Sequence, residues 1–166
     1  MSIGFESWES PVGRLYIAAD ETAVRALAFD ANWSRIRASL GDVQEQGNAL
    51  TRQTIAQLQE YFSATRQTFE LPLHLQGTEF QRRTWQALQE IPYGETRSYA
   101  EQAASIGQSQ AVRAIGHTNG LNPISIIVPC HRVIAKSGKL AGYVGGLAAK
   151  QYLLQLESRT PELRLL

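Results

Sequence analysis

The 166-residue chain contains one cysteine, Cys130. A lone thiol closes no internal disulfide and supplies no thiolate set for a structural zinc site, so nothing in the composition asks for an oxidising compartment. Long apolar runs are also missing, and no stretch approaches the roughly 20 residues that cross a bilayer. The opening Met1-Ser2-Ile3-Gly4-Phe5-Glu6 lacks the basic-then-apolar order of a signal peptide. A soluble, unsecreted protein of the cytoplasm is expected, associated with the nucleoid if it binds DNA. Internal repeats and low-complexity tracts are absent. With 43% hydrophobic and 19% charged residues, the chain is globular and long enough for one sizeable core or two small ones.

A large net charge is missing too: the formal sum is +1, which argues against nucleic acid at first sight. The sum hides an asymmetry. Residues 1–76 carry six Arg and nine Asp or Glu, whereas residues 77–166 carry ten Lys or Arg and six Glu, giving −3 and +4. A modestly basic half is weak support for phosphate binding, since many surfaces reach that balance by chance.

What is present divides at the same place. Gly4 to Trp8, Arg14 to Ala19 and Val24 to Phe29 have strand-like composition and are separated by Ser10-Pro11-Val12-Gly13 and Asp20-Glu21, which predicts a small antiparallel meander. Residues 31–47 show no clear pattern. Asn48 is placed to cap a helix whose apolar residues Leu50, Ile55, Leu58 and Phe62 recur at helical spacing. Leu71 to Gly77 reads as a connector, so the expected domains are 1–76 and 77–166.

The second half begins with helices. Thr78-x-x-Gln81 has the form of a capping box, and Phe80, Trp85, Leu88 and Ile91 mark an apolar face that ends at Pro92-Tyr93-Gly94. Ser98-x-x-Glu101 is a second capping box, opening a short helix that Gly107 closes. Ser109 is suited to cap a third, with Ala111, Ala114 and Ile115 facing inward and Arg113, Gly116 and His117 outward. Two short helices about a tight turn, with an outward arginine, make a helix-turn-helix candidate, although the pattern is common in proteins that never touch DNA.

Ile124 to Val128 reads as a strand that delivers Pro129-Cys130-His131 at its end. A free cysteine is commonly a small buried hydrophobe. As a nucleophile it needs a base or a positive field, because a thiol with a reference pKa of about 8.5 is mostly protonated at neutral pH. His131 is adjacent in sequence, yet neighbouring side chains on a regular strand point to opposite faces. A contact between them therefore requires a bend, which Pro129 can supply, or a bridging water. Asn122 is positioned to brace the turn with its amide.

Taken together, Thr78-Glu79-Phe80-Gln81, Trp85, Ile91 to Tyr99, Arg113-Ala114-Ile115-Gly116, Asn122-Pro123, Pro129-Cys130-His131-Arg132-Val133 and Gly142 to Leu147 resemble the O6-alkylguanine-DNA alkyltransferase family in order and spacing. The resemblance covers residues 77–157 strongly, while the first half is similar to the family's N-terminal domain without a diagnostic motif. It implies an α+β fold: a small ribonuclease-H-like antiparallel-sheet domain, then a mainly helical, winged-helix-like domain with the helix-turn-helix.

The resemblance also implies a reaction, a partner and residue roles. Direct-reversal DNA repair would transfer the alkyl group of O6-alkylguanine irreversibly to Cys130, once per molecule and without a cofactor; O4-alkylthymine is left open as a second substrate. His131 corresponds to the water-mediated base, Glu157 to the carboxylate that orients it, and Asn122 to the asparagine under the cysteine turn. Tyr99 corresponds to the tyrosine that supplies a proton to the departing guanine at N3. Tyr143, Val144 and Gly145 correspond to a wall of the base pocket, with the Val144 amide facing O6, and Lys150 to a lysine after that loop. Lys150 read without the family is a solvated helix lysine. Arg113 corresponds to the finger that fills the stack when double-stranded DNA, bound through its minor groove, gives up the damaged nucleotide. The implied state is a monomer, with cooperative binding along DNA left open. Zinc-binding members use cysteine and histidine ligands in the first domain that this chain lacks, so no metal is expected. Non-catalytic relatives carry tryptophan in place of the cysteine and only mark lesions. A DNA-binding regulator without chemistry, or a cysteine hydrolase, are the other readings of the same residues.

Overall fold

The computed structural model describes residues 2–138, 140 and 142–158; the last eight positions of the expected second domain lie outside them. The chain divides into two compact units, Met1–Gln76 with Pro123–Ser125, and Gly77–Asn122 with Ile126–Leu166.

The first unit is a four-stranded sheet with two helices. Strands β1 (Ile3–Ser10), β2 (Gly13–Ala19) and β3 (Val24–Phe29) form the antiparallel meander, with β2 in the centre. Gly13, at φ 101°, makes the first turn possible, because a Cβ there would be strained. Residues 31–47, which show no pattern in sequence, form helix α1 (Asp30–Leu40) and a short strand β4 (Val43–Gln44) that pairs parallel to β1. The sheet is therefore not a pure antiparallel meander. Helix α1 escapes periodicity because Trp33 and Ile36 are its only buried apolar residues, and its start has Asn32 accepting from the Phe29 N–H rather than a polar cap residue. It buries Trp33 and Ile36 against Phe5, Ala18, Ala26 and Ala28. Leu15 and Ile17, of opposite parity on β2, are also fully buried, and helix α2 (Ala49–Phe62) packs on the same strands. Both sheet faces are thus covered, which is why β2 and β3 end in unbroken apolar runs instead of alternating.

Asn48 caps α2 as expected, accepting from the Thr51 N–H at 3.0 Å. The buried face of α2 is rotated from the predicted one, however. Thr51, Thr54, Leu58 and Tyr61 are inside, while Leu50, Ile55 and Phe62 are half-buried. The two threonines tolerate burial because Thr54 Oγ1 donates to the Leu50 carbonyl and Thr51 Oγ1 to Glu6.

In the second unit, α3 (Glu79–Gln89) and α4 (Tyr99–Ser105) start at the capping boxes of Thr78 and Ser98, each reciprocal. Helix α4 ends in a Schellman motif: Gln108 N–H donates to Ala103 and Gly107 N–H to Ala104, with Gly107 at φ 70°. The third helix, α5 (Val112–Gly120), starts later than expected. Its cap position is Ala111 and no side chain caps it, so Ser109 does not perform that role. Ile115 is buried, but Ala114 is exposed with Arg113 and His117; Thr118 and Asn119 complete the inner face. Trp85 Nε1 donates to the Thr118 carbonyl at 2.9 Å, and Gln102 and Asn119 exchange two amide hydrogen bonds of 2.9 and 2.7 Å, which joins α3, α4 and α5 through buried groups. A two-residue parallel pair, β5 (Arg97–Ser98) with β6 (Val133–Ile134), and helix α6 (Leu147–Glu157) complete the unit.

The expected strand Ile124 to Val128 does not form. Ile124 makes one bridge with Leu27 inside the first unit, where Leu27 N–H donates to Pro123 and Ser125 N–H to Leu27; the chain then turns. Ile126 sits at φ 71°, which sterics disfavour for a β-branched residue, and it is held there as a buried side chain. β-propensity was overridden by this local turn.

Candidate active site

Cys130 lies not at a strand end but at the start of a 3₁₀ turn, Cys130–Arg132. Pro129, at φ −85° and ψ 68°, makes an inverse γ-turn in which Cys130 N–H donates to the Val128 carbonyl at 2.9 Å. Proline fixes φ near this value, so the bend is written into the sequence. Asn122 Nδ2 donates to the Val128 carbonyl at 2.8 Å and approaches Cys130 Sγ at 3.5 Å. One amide thus holds both the turn and the sulfur.

Tight 3₁₀ geometry puts His131 and Arg132 into the interior beside helix α6, where Ala149, Lys150, Leu153, Leu156 and Glu157 form the buried face. His131 Nε2 lies 2.7 Å from Glu157 Oε2. Arg132 grips the same carboxylate, with Nε on Oε1 at 2.8 Å and Nη2 on Oε2 at 3.0 Å, while Nη1 donates to the Ile91 carbonyl at 2.7 Å. Its guanidinium also lies 5.8 Å from the centre of the Tyr93 ring. Lys150 is buried, not solvated, and Nζ donates to the Val133 carbonyl at 2.8 Å.

Burial would raise the Glu157 pKa, but hydrogen bonds and charge from His131 and Arg132 overcome it and bring the carboxyl down to about 2. An ionised carboxylate can only accept, so His131 must carry its proton on Nε2. Nδ1 is then the bare nitrogen, and it meets no hydrogen-bond partner among the described residues. Burial pushes the imidazole pKa down against the pull of Glu157, so His131 rests uncharged. Burial likewise pushes the Cys130 thiol up, opposed by the Asn122 hydrogen bond and the Lys150 charge. The resting pair is a protonated thiol and a neutral imidazole with one free lone pair.

A cavity of about 460 Å³ opens on the sulfur, lined by Tyr99, Gly116, Asn119, Gly120, Cys130, Gly142, Tyr143 and Val144. That lies within the size range of small-molecule sites. Tyr99, the first residue of α4, is half-buried, and burial followed by the nearby cysteine raises its pKa. Tyr143 and Gly146 close a turn into α6 through the Gly146 N–H, with the Tyr143 ring edge-on to His131 at 6.4 Å. Gly145 is half-buried and is not among the lining residues. Arg113 is exposed on the first turn of α5.

Of the residues expected at the site, the fold pairs Asn122 with Cys130 and His131 with Glu157, the two pairs joined along the chain at Cys130-His131, and sets Tyr99, Tyr143 and Val144 around the cavity. Arg113 is on the helix-turn-helix, outside that lining. Arg132 was given no role by sequence reasoning, although it is as firmly bound to Glu157 as His131 is. Only its place beside Cys130 and His131 hinted at it, since nothing links positions 132 and 157 before the chain folds. Among the described residues, no group of three or more His, Cys, Asp and Glu is gathered as a metal would need.

A thiol beside an imidazole–carboxylate pair, opening on a cavity lined from α4 and α5, defines a protein equipped for cysteine-based chemistry. Residues 79–159 match the 6-O-methylguanine DNA methyltransferase, DNA binding domain, and residues 4–75 the 6-O-methylguanine DNA methyltransferase, ribonuclease-like domain. The chain belongs to the 6-O-methylguanine DNA methyltransferase family. It is 46% identical to a methylated-DNA--protein-cysteine methyltransferase of Methanosarcina barkeri, over 90% of this chain and 93% of that one. The constitutive methylated-DNA--protein-cysteine methyltransferase of Bacillus subtilis is 43% identical over 90% and 92%. The crystal structure of Mycobacterium tuberculosis OGT in complex with DNA is similar with a TM-score of 0.85 and 43% identity, covering 93% of this chain and 92% of that one.

Proposed function

We propose that this protein repairs DNA by taking the alkyl group of O6-alkylguanine onto Cys130. The observation that carries the reading is the neutral His131, held by Glu157 with its bare nitrogen unengaged, next to a protonated thiol at the cavity. The thiol proton passes through a water to His131 Nδ1, the thiolate attacks the alkyl carbon, and the carbon–O6 bond breaks as the S–C bond forms. Electrons from that bond return to the base, and Tyr99 supplies a proton to guanine N3. Glu157 stabilises the imidazolium that results, as the orienting carboxylate does in other nucleophile–base–carboxylate sets. A thioether does not revert, so each molecule acts once and no cofactor is consumed.

The partner is double-stranded DNA, in keeping with the DNA complex of the similar M. tuberculosis protein. The helix-turn-helix enters the minor groove, Arg113 fills the stack behind the flipped nucleotide, and the backbone amide of Val144 donates to O6. Flipping costs a few kcal/mol, which the arginine offsets. The protein acts as a monomer and associates with the nucleoid when bound. Duplex DNA with O6-methylguanine labelled in the methyl group tests the reading. One label per chain should appear on Cys130 by mass spectrometry, and none in Cys130→Ser. Label on another residue, or release of free methyl with repeated turnover, would refute it.

A further inference from the structure

Glu157 is shared. Its carboxylate accepts one hydrogen bond from His131 and two from Arg132, and all three side chains are buried, with exposures of 2%, 0% and 7%. A base–carboxylate pair does not need a guanidinium. Placing a buried cation there is costly unless it is fully engaged, and Arg132 is: the Ile91 carbonyl takes Nη1 and the Tyr93 ring lies beside the guanidinium.

We propose that Arg132 is a positioning residue for alkyl transfer: its fork neutralises the Glu157 carboxylate and thereby keeps His131 an uncharged base until the thiol proton arrives. The inference rests on the alkyl-transfer reading for its purpose, but the charge balance it describes stands on geometry alone. A buried imidazole facing an unshared carboxylate 2.7 Å away gains a strong reason to be protonated. It would then become an imidazolium with no lone pair for the cysteine proton. With Arg132 in place, Glu157 and Arg132 sum to zero, and the imidazole meets a hydrogen-bond acceptor that orients it without a net negative charge.

The other groups facing His131 agree in sign. From α6 come Glu157 and Lys150, and the Lys150 charge also disfavours the imidazolium; from the 3₁₀ turn come Cys130 and Arg132; from the loop before α6 comes Tyr143, whose raised pKa keeps it neutral. The charged residues of α3, namely Glu79, Arg82 and Arg83, are exposed. Among the described residues Glu157 is the negative charge that bears on the ring, and the Arg132 fork lies on that carboxylate.

Nuclear magnetic resonance titration of the His131 imidazole, with and without substitution, separates charge from shape. In the unmodified protein the ring should titrate below the ordinary value of 6.5. Arg132→Gln keeps amide donors but removes the charge, and should raise the midpoint by about one unit or more, the shift expected of a close opposite charge. Arg132→Lys keeps the charge without the fork and should leave the midpoint near that of the unmodified protein. The acid limb of transfer from methylated duplex DNA should move upward with the midpoint, at about a tenfold loss per pH unit below it. An unchanged midpoint in folded Arg132→Gln overturns the proposal. So does an imidazole already charged at pH 7 in the unmodified protein, a result that needs no variant to fold. Failure of the unmodified protein to accept alkyl groups refutes the function but leaves the titration intact.

Discussion

The two units bury different things. In the first, sheet and helices close over Phe5, Leu15, Ile17, Trp33, Leu58 and Tyr61, and its buried Thr51, Thr54 and Gln57 satisfy nearby backbone or side-chain groups. Among its described residues Asp20 is the one buried charge, held at the turn by Thr22, Ala23 and Arg25. In the second, His131, Arg132, Lys150 and Glu157 are buried, and so is the Gln102–Asn119 amide pair of the same unit. The first interior is what an apolar core dictates. A buried ionic cluster is weak support for stability, and the proposed reaction gives its presence in the second unit a purpose: an oriented, uncharged base for the sulfur.

The comparison predicts where damage appears. Glu157→Gln should have the largest effect, since it strands the Arg132 charge and removes the partner of His131. A loss of about 3–5 kcal/mol in urea unfolding is expected, together with transfer too slow to follow in the folded fraction. The same carboxylate sets an acid limit. Its folded pKa of about 2 lies below the ordinary 4.5, so its stabilisation is complete above 4.5 and disappears as pH falls toward 2. Unfolding followed from pH 6 to pH 2 should show this slope. Glu157→Gln should keep the part due to Asp20 and Glu101, whose pKa values are also lowered; an unchanged slope would contradict the assignment.

Trp33→Ala tests the other side. The ring stacks on Tyr16 at 5.2 Å and tilts against Phe5 at 5.0 Å, and its removal leaves a cavity worth about 3–5 kcal/mol. Molecules that remain folded should transfer methyl at the unaltered rate. If the rate falls with stability, the contrast between a structural and a chemical unit fails.

Arg113→Ala should matter only with duplex DNA. Loss of the group proposed to fill the stack exposes the few kcal/mol of flipping, so transfer from duplex should slow by about 10–100-fold at an unchanged rate on free O6-alkylguanine base. Equal slowing on both substrates would make Arg113 a structural residue of α5.

How far the sequence could be read follows the same division. Capping boxes at Thr78 and Ser98, the cap at Asn48 and the three strands are local codes, and each formed where its residues stand. Helix α1 was illegible because its stripe is only Trp33 and Ile36 in polar surroundings. The run Ile124 to Val128 misled, because β-branched composition reports fitness for a pleated surface and this run turns at Ile126 instead. Within the site, Pro129 announced its bend and Asn122 its brace. Arg132 and Lys150 did not announce their burial, because what makes burial tolerable is Glu157, the Ile91 carbonyl and the Val133 carbonyl, partners that only the folded chain supplies.

The smallest effect sharpens the comparison most finely, because the same device occurs once in each unit. Asn48 and Ser98 both cap a helix through a reciprocal box, at 3.0 Å in each case. Alanine at either position should cost about 1 kcal/mol. The consequences for chemistry should differ. Ser98 immediately precedes Tyr99, which lines the cavity, so fraying the first turn of α4 moves the hydroxyl proposed to meet the base. Asn48 opens α2 in the first unit, where its side chain bonds the Thr51 N–H and the Ala19 carbonyl. Ser98→Ala should therefore slow methyl transfer several-fold at a stability loss that Asn48→Ala matches without slowing it. Single-turnover kinetics on both variants, normalised to folded protein, decides the matter: equal rates would place Tyr99 outside the chemistry.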